Sequence, residues 1–184
     1  MATMLQQPQN VLTFWFEEIA PQQWWVKSPD FDQLIAHRFG ALHRSVASCE
    51  MFAWRETPQG RLAEIIVLDQ FSRNIYRDQP QAYAHDALAL ALAQTAVELE
   101  VDKAMSAKMK QFLYMPFMHS ESLAIHAVAL KLFAATGLEK SLQSELKHQA
   151  IIERFGRYPH RNQHLGRQSS PQELEFLALP HSSF

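Results

Sequence analysis

The chain has 184 residues and a formal net charge of −2, with 47% hydrophobic and 20% charged residues. That balance describes a folded domain, not a disordered tail. It also argues against a nucleic-acid binder driven by overall charge. The single Cys49 excludes an internal disulfide and fits a reducing compartment.

The start, Met1 to Asn10, has neither the basic residues nor the apolar run of a secretory signal. The longest strongly apolar uncharged stretch, 87–97, is too short to span a bilayer. A cytoplasmic protein without a membrane segment is the expectation. Length favours one domain over 1–184.

Proline punctuates the elements. Gln7-Pro8, Ser28-Pro29, Thr57-Pro58, Gln79-Pro80 and Ser170-Pro171 each set a proline after a polar residue. Proline is tolerated at the first helical position, and a preceding Ser or Thr can cap the free N–H groups. Ser170-Pro-Gln-Glu173 has the spacing of a capping box. Gly137 and Gly156 follow apolar runs and suit left-handed helix ends. No Asn-Gly or Asp-Gly hairpin signal occurs.

The chain therefore reads as all-α, with helices over 8–19, 30–48, 58–76, 80–99, 104–117, 120–136, 139–155 and 171–177. Phe31, Leu34, Ile35, Phe39 and Leu42 fall on one helical face, as do Leu88, Leu92, Ala96 and Leu99. Short connections make 58–76 with 80–99, and 104–117 with 120–136, antiparallel hairpins. They form either a short stack or a compact irregular bundle.

Three segments carry candidate chemistry. Leu68 to Asp78 places Asp69, Arg73 and Arg77 four apart, on one helical stripe. Asp69 follows the apolar run Ile65 to Leu68, so burial is expected and a partner is required. Arg73 or an arginine from 154–167 would supply it, as architecture. Alternatively Arg73, Asn74 and Arg77 line a pocket wall. Met115-Pro-Phe-Met-His-Ser-Glu121 follows, and Pro116 is expected to stop a regular helix there. His119 then lies at a helix junction, as a general base or as a turn bridge, with Glu121 beside it.

The third segment, Arg154 to Arg167, holds four of the ten arginines and no acid or lysine. Guanidinium forks suit carboxylates and phosphates. Arg157, His160, Arg161, Asn162 and Arg167 either line a pocket or pin a loop across helix ends. His160 and His164 have ligand spacing only on a helix, and Pro159 with Gly166 argues for a loop, so no metal or cofactor is expected. Ser72 and Ser120 lack a nucleophile elbow, and no Walker or dinucleotide loop is present. Phe14-Trp15-Phe16 reads mainly as core, and Trp24-Trp25 as an exposed loop pair.

Together these segments resemble the bacterial family called domain of unknown function 924, a relative of tetratricopeptide-like proteins. The residues carrying the resemblance are Phe14-Trp15-Phe16, Leu68 to Arg77, Met115 to Glu121, Phe155 to Asn162, and Leu165-Gly-Arg167 with Ser169 onward. At Ser72 the family pattern usually has proline. The resemblance implies an α-α superhelix of stacked hairpins and carries no activity with it.

The leading expectation for function is a pocket holding a small anion or acidic peptide end through Arg73, Arg77, Arg157, Arg161 and Asn162, with His119 and His160 nearby. The alternatives are a hydrolase or transferase using His119 or His160 as base, and an interaction scaffold whose arginines brace the fold. Oligomeric state is open.

Overall fold

The computed structural model describes residues 7–180 and residue 182, and these contain helices and turns without a strand. The part of the N-terminal reading that rests on residues 1–6 lies outside the described residues. The helices are α1 (Pro8–Thr13), α2 (Pro29–Ala47), α3 (Pro58–Ile66), α4 (Ser72–Ile75), α5 (Asp86–Glu98), α6 (Ala107–Met118), α7 (Leu123–Ala134), α8 (Glu139–Phe155) and α9 (Pro171–Leu177). None is long and apolar enough to cross a membrane.

Their starts follow from local chemistry. Ser28, Thr57 and Ser170 cap α2, α3 and α9 through their hydroxyls, each with proline in the first turn. Ser170 and Glu173 close a reciprocal capping box. Gly156 ends α8 at a φ of 69°, the left-handed region where a side chain is costly.

Several elements differ from the sequence expectation. The helix expected over 80–99 begins as a 3₁₀ turn, Pro80–Tyr83, before α5. The helix expected over 58–76 is three pieces, with a π-helical segment, Val67–Phe71, between α3 and α4. Phe14–Glu18, after α1, is a second π-helical segment. Pro116 does not stop α6, which runs on to Met118. The ring costs one N–H near a helix end, and the His119 N–H still reaches the Met115 carbonyl at 3.0 Å.

The face expected for α5 is also displaced. Ala89, Ala93 and Ala96 are fully buried, whereas Leu99 is exposed. Small side chains let α5 lie close against α3 and α6, and apolar size alone does not reveal that contact. On α2, Phe31, Ile35, Phe39 and Leu42 are buried as the period requires, but Leu34 is exposed.

The core centres on α3, which packs against α1, α5 and α6, so the chain gathers around it more than it stacks neighbour on neighbour. Phe14, Phe39 and Phe71 stack into this core, with ring centroids 4.9 Å apart for Phe14–Phe39 and for Phe39–Phe71. Trp15 packs edge-on against Phe71 and Phe112. Beside this core, α6, α7 and α8 pack in sequence, α6 on α7 and α7 on α8. α6 and α8 also touch each other directly. They form two walls of one cleft.

Candidate functional site

The cleft has a volume of about 990 Å³ and is lined by α6, α8, the Trp24–Lys27 loop, residues of the stretch 70–83 and the Tyr158–His164 segment. That size suits a small organic ligand. Its polar end is built on Asp69, which lies in the π-helical segment after the buried run Ile65 to Leu68. π-Helical turns frequently occur at functional sites. Here one follows the core run and carries a carboxylate into the protein interior.

Asp69 is 1% exposed. It accepts from the Gln70 amide at 2.5 Å, from His119 Nδ1 at 2.7 Å, and pairs with Arg73 at 3.1 Å. Burial alone would raise its pKa. The Arg73 guanidinium and His119 outweigh that and hold the carboxyl well below the usual range. An ionised carboxylate cannot donate, so His119 must donate from Nδ1–H. The lone pair of the neutral ring then sits on Nε2.

His119 is the residue that ends α6. Its side chain is 13% exposed and lines the cleft, and Nε2 makes no hydrogen bond among the described residues. Burial, then the nearby Arg73 guanidinium, push its pKa down against the pull of Asp69. The ring is therefore neutral at physiological pH, with a basic nitrogen open to the cleft.

Around it stand Arg73 and Arg161, joined by Asp86 at the start of α5. Arg73 grips Asp86 with two bonds of 3.0 Å, and Arg161 reaches it at 3.2 Å. Arg161 also donates to the His119 carbonyl at 3.0 Å, and its Nε–H meets no acceptor. Its guanidinium lies between the Tyr83 and Tyr158 rings, 4.8 and 4.6 Å from their centroids. His148 donates from Nδ1 to the Ser144 carbonyl at 2.7 Å, which orients it toward the same end. Burial pushes both His148 and His160 down to about 3, so both rings are neutral at physiological pH.

The candidates named from sequence fall into two groups. Arg73, Asn74, Arg77, His119, His160 and Arg161 line the cleft, with Asp69 directly behind His119. Asn74 and Arg77 are committed to Asp32 on α2, at 2.8 Å for the Asn74 amide and 2.5 and 2.7 Å for the guanidinium. Arg157, Asn162, Arg167 and Glu121 are not part of the lining.

Those four are braces. Arg157 forks onto Glu173 at 2.7 and 2.8 Å, and the Asn162 amide bonds Ser169 and Glu173. Arg167 forks onto Glu121 at 2.6 and 2.9 Å, and Glu121 also accepts the Tyr158 N–H. One stretch of sequence thus does both jobs: its ends pin the loop to α9 and to the α6–α7 junction, and His160 with Arg161 faces the cleft.

Sequence reasoning missed Asp86, His148 and Asp32. Asp86 and His148 carry no local signal: one opens a helix and the other sits mid-helix, and only tertiary packing brings them to the cleft. Asp32 stands in the acidic first turn of α2, where an acid is expected for the helix dipole alone. Ser72 is buried beside Leu68, donating to its carbonyl at 2.6 Å, with His43 Nε2 at 2.7 Å from the hydroxyl. It is not part of the cleft lining. Among the described residues no group of three or more His, Cys, Asp or Glu is placed to hold a metal ion.

An all-helical chain with a histidine–carboxylate pair at the end of a mixed polar and apolar cleft defines the class. The chain belongs to the bacterial family of unknown function DUF924, whose description matches residues 11–181. A solved structure of a protein of unknown function from Agrobacterium tumefaciens, ATU0120, is similar to it, with 34% identity and a TM-score of 0.88. That likeness covers 93% of this chain and 96% of that one. No curated protein matches the chain.

Proposed function

We propose that the cleft is the site of a hydrolytic or group-transfer reaction in which His119 is the general base. The observation that carries this reading is the 2.7 Å bond from His119 Nδ1 to Asp69, which leaves Nε2 basic and open. Asp69 fixes the tautomer and stabilises the imidazolium formed when Nε2 takes a proton. Arg161 lines the same end of the cleft, where the second hydrogens of its two Nη groups, not the buried Nε–H, can meet an oxygen gaining negative charge.

A second reading, capture of a small anion or acidic peptide end, draws on those same Arg161 donors. It is the weaker one on charge. Asp32, Asp69 and Asp86 already answer Arg73, Arg77 and Arg161, so these three arginines hold little unspent positive charge.

The test is a panel of ester, amide, phosphoester and glycoside substrates at neutral pH, run on wild type and His119→Gln. An activity of the wild type should fall about 100-fold or more in the variant, the scale of a lost general base. A wild-type activity that survives intact in His119→Gln contradicts the reading.

A further inference from the structure

The two ends of the cleft differ in character. Gln111, Met115, Met118 and His119 all line it from α6. At 1.5 Å per residue, positions 111 to 119 span about 12 Å along that wall. His119 marks the polar end, where His148 of α8 comes within 6.5 Å ring to ring. Trp24 and Trp25 mark the other end, since both pack on Phe112, at 5.0 and 6.0 Å between ring centroids. Trp25 is 54% exposed and Val26 59%, and both belong to the lining. Large apolar side chains left half in water at the mouth of a cleft gain from an apolar occupant.

Beside His119 the buried charges pair off, although Lys27 and Lys140 also line the cleft. Two guanidiniums, Arg73 and Arg161, meet two carboxylates, Asp69 and Asp86, and the imidazoles around them are neutral. An ionic head group beside Arg161 would have to give up its hydration where both guanidiniums are already answered by carboxylates. A carbonyl oxygen needs only N–H donors, and each Nη group of Arg161 has a second hydrogen beyond the one bonded to Asp86 or to the His119 carbonyl.

We infer that the cleft takes an uncharged acyl compound, an ester or amide, with its carbonyl at Arg161 and its apolar acyl body along α6 toward Trp24 and Trp25. This rests on the reading of His119 as the base. His119 Nε2 takes a proton from water as the water oxygen bonds to the acyl carbon. The carbonyl electron pair moves onto its oxygen beside Arg161. Collapse of the adduct re-forms the carbonyl and breaks the bond to the leaving oxygen or nitrogen, which takes the proton back from His119. The products are a carboxylic acid and an alcohol or amine.

Calorimetric titration separates the ligand class from the chemistry. The probes are octanamide, acetamide and octanoate, on wild type, Trp25→Ala and His119→Gln. Octanamide should bind at least about ten-fold tighter than acetamide, from burial of its chain, and tighter than octanoate. Trp25→Ala should weaken octanamide several-fold and leave acetamide unchanged, and His119→Gln should keep octanamide binding. Trp25 is half exposed, so its truncation leaves the core intact. Octanamide no tighter than acetamide, octanoate the tightest of the three, no effect of Trp25→Ala, or no binding at all overturns the inference. Hydrolysis lost in His119→Gln without any chain-length preference leaves the general base standing and removes only the substrate class. Chain-length-dependent binding with hydrolysis intact in His119→Gln does the reverse.

Discussion

Each arginine near the cleft is answered by a carboxylate, and the two kinds of pair differ in where they lie. Arg167 and Glu121 satisfy each other in a two-bond fork, and Arg167 also donates to the Tyr158 carbonyl. Arg161 shares Asp86 with Arg73 and lines the cleft, which Arg167 does not. Truncating the brace should therefore cost stability and spare the site. Arg167→Ala is expected to destabilise by about 1–3 kcal/mol, the cost of leaving Glu121 short of a charged partner. Chemical denaturation measures this, and octanamide affinity in the same variant should match wild type. A large loss of affinity with unchanged stability would move Arg167 into the site.

At this scale the sequence was informative about types and silent about partners. The four-residue spacing of Asp69 and Arg73 does place them in contact. The same spacing does not carry Arg77 into that contact, because α4 ends at Ile75 and Arg77, beyond it, turns to Asp32. The pairing of Asp69 with His119 joins residues 50 apart in the chain, and no local pattern encodes it.

Among the elements, α3 is the one on which the others converge, and its approach to the preceding 3₁₀ turn, Phe52–Glu56, is unusually close. A Cβ on Gly60 would stand 1.9 Å from the Trp54 carbonyl oxygen. Backbone cannot yield as a flexible side chain does. Gly60→Ala should therefore destabilise by about 1–3 kcal/mol or more, where the same change on an open helix face is usually favourable. Thermal unfolding measures it, and an unchanged or raised Tm would refute the close approach. The same turn carries Arg55, whose guanidinium forks onto Glu64, a carboxylate buried among the core side chains of α3.

Helix starts were legible because proline and its capping neighbours act locally. The breaks inside helices were not. Both π-helical segments, Phe14–Glu18 and Val67–Phe71, lie in strongly apolar runs whose spacing also fits an ordinary helix. Their rings pack against partners distant in sequence, such as Trp15 on Phe112, which local spacing does not reveal.

Over the whole molecule, buried imidazoles set the response to acid. Burial pushes His43 down to about 4, and His148 and His160 down to about 3, from an ordinary value of 6.5. The folded state refuses protons that the unfolded chain accepts below pH 6.5. Stability is therefore fully present above 6.5 and falls as pH drops toward the folded values. Each group contributes at most about 1.4 kcal/mol per pH unit across that window. Asp69, held low in the folded state, adds to the loss once pH falls below the ordinary carboxylate range. Denaturation midpoints should be level from pH 8 to about 7 and decline steeply between about 6 and 4. A flat profile through that interval would mean that these histidines take up protons in the folded state.

The most direct measurement is the protonation state of His119, read from its imidazole nitrogen resonances by NMR across a pH series, with His119→Gln supplying the assignment. The account predicts a neutral ring at pH 7, protonated at Nδ1 and bare at Nε2, that shifts to the other tautomer or loses its preference in Asp69→Asn. An imidazolium at pH 7, or a proton found on Nε2 in the wild type, would contradict it.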